Sequence, residues 1–393
     1  MIEKNIETLK AYMPNSAEEL TPELVDRAIK DCLAKIDHNL ELLGEEYPTP
    51  ATFSNEYKIM DNTEWTNGFW TGMLWLAYEL TGDEKYKEAA EKNVRSFIHR
   101  IDNLIEVNHH DLGFLYIPSC VSAYKLTGDL KARDAAIKAA KQLASRYQKT
   151  GKFIQAWGEL GASDNYRLIV DCLLNIPLLF WASEETGDRE FAEMAKEHFK
   201  TTVKYAIRPD ASAFHTFYFD PETGEPAYGK TRQGYSDDSA WARGQAWLIY
   251  GIALCNAYYP VETNVEYFQA VTNYFLNRLP ENFVCYWDLI FDDTSGQPRD
   301  TSAAAIAVCE INQMAKEIPN NENLREYEVW ANRILYNLIT HYTEQKAKGV
   351  IALLNEGVYS WHSGKGVNEG NIWGDYFYLE ALMRKKNNWK MYW

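Results

Sequence analysis

The chain has 393 residues, of which 46% are hydrophobic and 24% are charged, so it can bury a large core and is not disordered. Its net charge of −16 argues against a nucleic-acid or anionic-membrane partner, since both require a basic surface. The N-terminus lacks the apolar core of a signal peptide, and no stretch approaches the roughly 20 apolar residues of a membrane span. We expect a cytoplasmic protein whose 6 scattered cysteines are reduced thiols.

The tripeptide Thr-Gly-Asp recurs at residues 81–83, 127–129 and 186–188. Glycine can adopt the left-handed conformation that ends a helix, and the aspartate can cap the next helix. Each copy therefore predicts the turn of a helix hairpin. Repetition at an interval of about 50 residues indicates a stacked or closed array of hairpins.

Hydrophobic periodicity predicts twelve helices, which make six hairpins. They cover residues 23–43, 68–80, 84–101, 112–126, 130–147, 165–185, 189–206, 238–258, 263–279, 301–317, 323–345 and 373–387. Helices 165–185 and 301–317 are nearly apolar, whereas 84–101 and 130–147 carry charge on one face. Alternation of buried and solvent-facing helices fits an inner and an outer ring. The sequence thus predicts an all-α fold, an (α/α)6 barrel, as a single domain over residues 1–393.

One segment has strand character. Residues 214–220 alternate in polarity and precede the turn 221–224, Pro-Glu-Thr-Gly. This pattern predicts a small β-hairpin in a loop at the barrel mouth.

Two aspartates occupy unusual positions: Asp111 in the turn 109–113 and Asp171 in the apolar run 168–174. Burying a carboxylate without a partner is costly, so a carboxyl group in such a place keeps its proton to a higher pH. That proton can be donated to a substrate, which makes Asp171 a candidate general acid. In the alternative interpretation, Asp171 is structural and caps a helix or pairs with Arg167.

In a helical barrel, loops and the ends of the inner helices line a central cleft. Candidate residues in these segments are Trp65, Trp70, His110, Asp111, Trp157, Asp171, His215, Gln233, Arg243, Trp247, Ser360, Ser363 and Lys365. Arg243 and Trp247 are four residues apart and share a helix face, and a guanidinium beside an indole suits a carboxylated sugar. Alternatively, Arg243 pairs with Asp237 or Asp238, and Trp247 belongs to the core.

Other chemistries are less favoured. The cluster His109-His110-Asp111 lacks metal-binding spacing, and neighbouring side chains are expected to point apart. The chain has no glycine-rich phosphate loop and no G-x-S-x-G motif, and Cys172 has no histidine at a fixed spacing. We therefore expect no metal and no cofactor.

Several strings, in order, resemble the unsaturated glucuronyl hydrolases of glycoside hydrolase family 88. They cover residues 65–70, 110–114, 167–177 and 233–247, and the similarity runs from about residue 20 to the C-terminus. The resemblance implies an (α/α)6 barrel that acts on lyase products whose non-reducing end is a 4,5-unsaturated uronic acid. Such enzymes hydrate the C4=C5 vinyl ether instead of displacing the aglycone at the anomeric carbon.

By the same resemblance, Asp171 would protonate C4 and then accept a proton from the water that attacks C5, while Asp111 would assist. The implied substrate-binding residues are Trp65, His110, Trp157, His215, Gln233, Arg243 and Trp247. The string S-x-x-S-x-K, formed by Ser360, Ser363 and Lys365, resembles the sulfate-recognising loop of streptococcal-type members. Its two hydroxyls and one ammonium can donate to three sulfate oxygens. Without the family context, it is an ordinary Ser/Gly loop.

The favoured function is hydrolysis of chondroitin- or hyaluronan-type unsaturated disaccharides, including sulfated ones, by a monomer or homodimer. Two enzymatic alternatives are an unsaturated rhamnogalacturonyl hydrolase that acts on pectin fragments and an (α/α)6 sugar epimerase that uses histidine bases. A third alternative, suggested by the 13 tryptophans alone, is a non-catalytic carbohydrate-binding helical toroid.

Overall fold

Helices build most of the computed structural model, which describes residues 3–11, 19–318, 322–344 and 347–393. In chain order they are α1 (Pro22–Leu43), α2 (Asn67–Thr81), α3 (Glu84–Asp102), α4 (Leu112–Tyr116), α5 (Ser122–Thr127), α6 (Leu130–Ala144), α7 (Pro177–Thr186), α8 (Arg189–Tyr205), α9 (Ala242–Tyr258), α10 (Glu262–Leu276), α11 (Thr301–Glu317), α12 (Glu322–His341) and α13 (Ile372–Lys386). A π-helical turn, Ile117–Val121, joins α4 to α5, so the predicted helix 112–126 is one helix with a bulge. Within the described ranges, no helix combines the length and the apolarity needed to cross a membrane.

The helices pack as two concentric rings. The inner ring runs from α2 through α4 and α5, α7, α9, α11 and α13, and it closes because α13 packs against α2. The outer helices α3, α8, α10 and α12 pack on their inner partners α2, α7, α9 and α11, while α6 packs on α5 and α1 on α13. Inner helices such as α9 and α11 are buried almost throughout, whereas α3, α6 and α8 bury one face. The predicted (α/α)6 barrel of six hairpins is confirmed.

The three Thr-Gly-Asp turns have the predicted conformation. Their glycines adopt left-handed φ values of 69°, 76° and 77°. Each aspartate accepts a backbone N–H from the first turn of the next helix, at α3, α6 and α8. The recurring tripeptide therefore sets three of the hairpin connections.

Short antiparallel strands lie in the loops. They are β1 (Tyr47–Pro48) with β2 (Ile59–Met60), β3 (Tyr147–Gln148) with β4 (Phe153–Ile154), β5 (Arg167–Ile169) with β6 (Thr216–Phe219) and β7 (Pro226–Lys230), and β8 (Gly357–Ser360) with β9 (Lys365–Glu369). The predicted β-hairpin is confirmed as β6 and β7, although β5 adds a third strand. The other pairs were not predicted, because two-residue strands and glycine-rich segments carry little alternation of polarity.

The prediction of one helix over residues 165–185 is wrong in its first half. Arg167–Ile169 pairs with β6, Val170–Leu174 forms a 3-10 helix, and α7 begins only at Pro177. Proline has no N–H to donate, and its ring clashes with the preceding turn, so a single α-helix does not continue through it. Asp171 therefore lies in the 3-10 helix before α7. Residue 345 of the predicted helix 323–345 lies outside the described residues.

Candidate active site

The candidate site lies where the N-terminal ends of the inner helices meet. Trp65 precedes α2, Asp111 precedes α4, Asp171 precedes α7, Arg243 is in the first turn of α9, and Asp300 caps α11. The inner helices alternate with outer ones, so they run in the same direction and present their N-termini at one end of the barrel. Helix N-termini carry partial positive charge, which favours an anionic ligand even in a protein of net charge −16.

Three ionisable side chains converge at the centre of this end. Nε2 of His110 lies 3.3 Å from Oδ1 of Asp111 and 3.4 Å from Oδ1 of Asp171. The expectation that neighbouring side chains at 109–111 point apart is wrong for His110 and Asp111. Asp111 is the N-cap residue of α4, but its side chain makes no capping hydrogen bond within the described residues, and its carboxyl group contacts the imidazole instead.

The two carboxyl groups have opposite protonation preferences. Burial, reinforced by repulsion from Asp111, raises the pKa of Asp171 well above its ordinary value, even though Arg243 acts in the other direction. Burial also opposes charge on Asp111, but His110, His109 and hydrogen bonding by Trp157 outweigh it, and the pKa of Asp111 is lowered. The raised pKa favours the protonated form of Asp171 beside an Asp111 whose lowered pKa favours the carboxylate, as an acid with a charged partner requires.

The alternative pairing of Asp171 with Arg167 is not found. Arg167 donates to Oδ1 of Asn165 and lies over the ring of Tyr218, and no ion pair between Arg167 and Asp171 is found in the described part of the chain. Oδ1 of Asp171 is buried and has no hydrogen-bond partner within the described ranges, yet 17% of the side chain remains exposed. One carboxyl oxygen of Asp171 is thus shielded from water, while the side chain as a whole can still be reached by a substrate.

His110 and His215 are neutral near pH 7. Burial lowers the pKa of His110 to about 4 and, together with the charge of Arg243, that of His215 to about 3. Nδ1 of His215 accepts the backbone N–H groups of Arg232 and Gln233, at 2.9 Å and 3.2 Å. The ring proton of His215 is therefore on Nε2, which is left as a hydrogen-bond donor.

Arg243 is held by a network of protein acceptors. It donates to Oδ2 of Asp300 at 2.9 Å, to Oε1 of Gln233 at 2.8 Å and to the carbonyl of Tyr359 at 2.8 Å. The alternative partners Asp237 and Asp238 are exposed, so the ion pair is made with Asp300 instead. Because Oε1 of Gln233 is occupied, its amide NH2 is the end that can donate to a ligand.

The tryptophans fall into two groups. Trp157 is 39% exposed and stacks on His109, with ring centroids 4.3 Å apart and planes at 7°. Trp65 is half-buried, donates from Nε1 to the hydroxyl of Tyr359 and stacks on Trp373. By contrast, the two remaining candidates lie in the aromatic core with about 1% exposure: Trp70 and Trp247. Among these four candidates, Trp157 and Trp65 therefore offer the faces that a sugar can reach.

The S-x-x-S-x-K string forms the tip of the β8–β9 hairpin. Ser360 ends β8 and pairs with Lys365 at the start of β9, while Ser363 lies in the turn and donates to the carbonyl of Ser360 at 3.3 Å. Ser363 and Lys365 are exposed. His362 contacts the carbonyl of Gly234 at 2.6 Å, which anchors the hairpin beside the Gln233 loop. The three residues therefore belong to one hairpin tip, where the ammonium of Lys365 lies 4.3 Å from the centroid of the Tyr359 ring.

Sequence reasoning missed three residues that organise the site. They are Asn175, Asp300 and Tyr359. Asp300 precedes an apolar helix and could have been identified as its cap, since it accepts the N–H of Ser302. Its second role, as the partner of an arginine 57 residues earlier, carries no local signal.

His110, Asp111 and Asp171 also present ligand atoms within 4.8 Å of one another, a spacing that a metal ion could use. The same three side chains can also exchange a proton, because the pKa of Asp171 is raised by burial and by the charge of Asp111.

A helical barrel with an unequal carboxyl pair and exposed tryptophan faces defines a carbohydrate-active hydrolase of the (α/α)6 class. The family model for Glycosyl Hydrolase Family 88 matches residues 46–358. The chain belongs to glycoside hydrolase family 88, and it is an enzyme of that family.

Individual relatives agree with this assignment. The chain is 56% identical over 391 residues to an unsaturated chondroitin disaccharide hydrolase of Streptococcus agalactiae, covering 99% of this chain and 98% of the relative. It is 40% identical over 369 residues to an unsaturated glucuronyl hydrolase of Bacillus sp., covering 93% and 98%. A crystal structure of an unsaturated glucuronyl hydrolase from Streptococcus agalactiae superposes with a TM-score of 0.94 at 55% identity, covering 99% of this chain and 100% of that one.

Proposed function

We propose that this enzyme releases 4,5-unsaturated uronic acid from chondroitin- or hyaluronan-type disaccharides, with Asp171 as the general acid and base. The observation that carries the proposal is the partly accessible carboxyl of Asp171, its pKa raised by burial and by Asp111, placed with Asp111 around Nε2 of His110. A vinyl ether is protonated on carbon, which requires an acid that still holds its proton at neutral pH. The identities with unsaturated chondroitin disaccharide hydrolases support this substrate class.

In each turnover, Asp171 gives one proton to the substrate and regains one from water. Its carboxyl transfers a proton to C4 of the C4=C5 bond, and positive charge develops at C5 and the ring oxygen. Water attacks C5 and gives a proton back to the Asp171 carboxylate, leaving a hemiketal. The C5–ring oxygen bond then opens to a ketone, and the resulting hemiacetal at C1 expels the second sugar as an alcohol. Asp111 stabilises the developing positive charge and orients His110 through their 3.3 Å contact.

The substrate carboxylate is bound by donors that the protein has already oriented. His215 can donate from Nε2, because its Nδ1 already accepts two backbone N–H groups. Gln233 can donate from its amide NH2, because its Oε1 already accepts from Arg243. Arg243 adds positive charge near the substrate carboxylate and holds the Gln233 amide in place. Its guanidinium is already occupied by protein acceptors, so it does not bind the carboxylate with two free N–H groups. Trp157 and Trp65 provide faces for the sugar rings.

Sulfate on the second sugar is bound by Ser360, Ser363 and Lys365. The exposed hairpin tip supports this assignment, because the three residues share one β-hairpin that His362 anchors beside the Gln233 loop. One solved structure of a variant Streptococcus agalactiae enzyme contains dGlcA-GalNAc6S, and this chain superposes on it with a TM-score of 0.88 at 52% identity, covering 99% of each chain. A sulfated disaccharide is therefore a suitable substrate for this chain.

The test follows the ultraviolet absorbance of the conjugated uronate across a panel of lyase-generated disaccharides. The panel contains sulfated and unsulfated chondroitin, hyaluronan and pectin-type members. We expect loss of absorbance with release of the second sugar from the glycosaminoglycan members. Preference for the pectin-type member would instead support a rhamnogalacturonyl hydrolase, and binding without loss of absorbance would contradict the proposed reaction.

We also propose a cytoplasmic location and a monomeric or homodimeric state. All six cysteines are buried and free, which suits a reducing compartment. Fractionation of the native cells and light scattering of the purified protein test these two points.

A further inference from the structure

The two catalytic carboxyl groups belong to segments that one side chain joins. Asn175 follows the 3-10 helix that carries Asp171 and is 1% exposed. Its Oδ1 accepts the backbone N–H of Phe114 at 2.9 Å, in the first turn of α4. Its Nδ2 donates to the backbone carbonyl of Asp171 at 3.3 Å. A single amide thus links the segment of Asp111 to that of Asp171.

The same two segments touch through their backbones at Gly113. A Cβ atom at this position would lie 2.3 Å from Cα of Asn175 and 2.7 Å from its carbonyl oxygen. Such distances are far below van der Waals contact, so only glycine permits the approach. Gly113 lies two residues after Asp111, and any displacement here is transmitted to the carboxyl group.

We propose that Asn175 is a positioning residue that, together with Gly113, fixes the separation between Asp111 and Asp171. The inference rests on the proposed roles of the two aspartates. The link needs an acceptor for Phe114 and a donor for the Asp171 carbonyl on one short side chain, and asparagine supplies both. Alanine supplies neither, and serine is too short to reach both partners.

A changed separation alters how the acid titrates. The groups that face Asp171 are His110 and Asp111 from the α4 side, Arg243 from α9, and its neighbour Cys172. Burial is the largest cause of the raised pKa of Asp171, and among these groups Asp111 raises it further by repulsion. If the α4 segment moves away, this repulsion weakens and Asp171 ionises at lower pH. Activity that depends on the protonated acid is then lost at lower pH.

The experiment compares Asn175→Ala with Asn39→Ala, measuring melting temperature, kcat, KM and the pH dependence of kcat. Asn39 is a matched control, because it is also buried and bridges two segments through both amide atoms, here to Ile351. We expect Asn175→Ala to lower kcat by about tenfold to a hundredfold, with KM changed little, since small misplacements of reacting groups have this effect. The alkaline limb of its kcat profile should move to lower pH. Asn39→Ala should lower the melting temperature only.

If Asn175→Ala loses stability as Asn39→Ala does, with kcat and its pH profile unchanged, the residue is structural and the inference is overturned. Should Asn175→Ala not fold, Asn175→Ser provides the same comparison, with a smaller change in the same direction. Failure of this inference is separable from failure of the proposed function. An unshifted profile of Asn175→Ala with an inactive Asp171→Asn enzyme removes only the positioning role, whereas an active Asp171→Asn enzyme removes the acid itself.

Discussion

Replacing Asp171 with asparagine isolates the transferable proton. The two side chains have nearly the same shape, and a protonated carboxyl and an amide are both uncharged. The substitution therefore leaves the electrostatic environment of Asp111 and Arg243 unchanged. Oδ1 of Asp171 has no hydrogen-bond partner among the described residues, so the substitution removes no bond to that atom. We therefore expect a folded enzyme whose substrate binding is largely retained.

The loss of activity can be estimated from the next available acid. Nε2 of His110 lies 3.4 Å from Oδ1 of Asp171, and burial lowers the pKa of His110 to about 4. At pH 7, only about one His110 in a thousand is then protonated. This value falls within the decrease of about a hundredfold to ten-thousandfold that loss of a general acid produces in kcat. Because the introduced amide is as neutral as the carboxyl that it replaces, the substitution does not alter the protonated fraction of His110 through charge.

The assay follows initial rates of ultraviolet absorbance loss from pH 7 down towards pH 5, with Asp134→Asn as a control at an exposed carboxylate. Any residual activity of Asp171→Asn that uses His110 should rise about tenfold for each unit of decreasing pH. The control should match the wild type at every pH. A kcat within about tenfold of the wild type would refute Asp171 as the acid, and a residual rate that does not change with pH would refute His110 as the substitute.

Three further predictions concern charge and burial. Asp111→Asn leaves burial but removes the repulsion that also raises the pKa of Asp171, so the alkaline limb of kcat against pH should move to lower pH. Lys365→Ala should weaken binding of sulfated disaccharides by about 1–3 kcal/mol, measured as KM, and leave unsulfated ones nearly unchanged; equal losses would contradict sulfate recognition. Glu310 is buried, neither of its oxygens has a hydrogen-bond partner among the residues that the structure describes, and burial raises its pKa, so its carboxyl destabilises the fold increasingly as pH rises above the unfolded pKa. Glu310→Met should therefore stabilise the protein by about 1–3 kcal/mol in denaturant titrations, more so as pH rises, and destabilisation would indicate a hidden partner.

Local signals in the sequence determined the architecture. The Thr-Gly-Asp turns and the alternation of apolar and amphipathic helices depend on neighbours within one or two helical turns, so periodicity and capping rules predicted them correctly. The unusual position of Asp171 was also visible locally, because an acidic residue in an apolar run is costly to bury. The family resemblance then assigned its chemistry.

The tertiary structure alone decided how the site is assembled. Pro177 and pairing with β6 place Asp171 in a 3-10 helix rather than an α-helix. Arg243 pairs with Asp300, 57 residues away, and Asn175 reaches Phe114, 61 residues away. Contacts of this kind arise because six inner helices bring their N-termini to one end of the barrel. No local sequence pattern predicts which residues will meet there, because closure of the helical ring sets the distances between residues that are far apart in the chain.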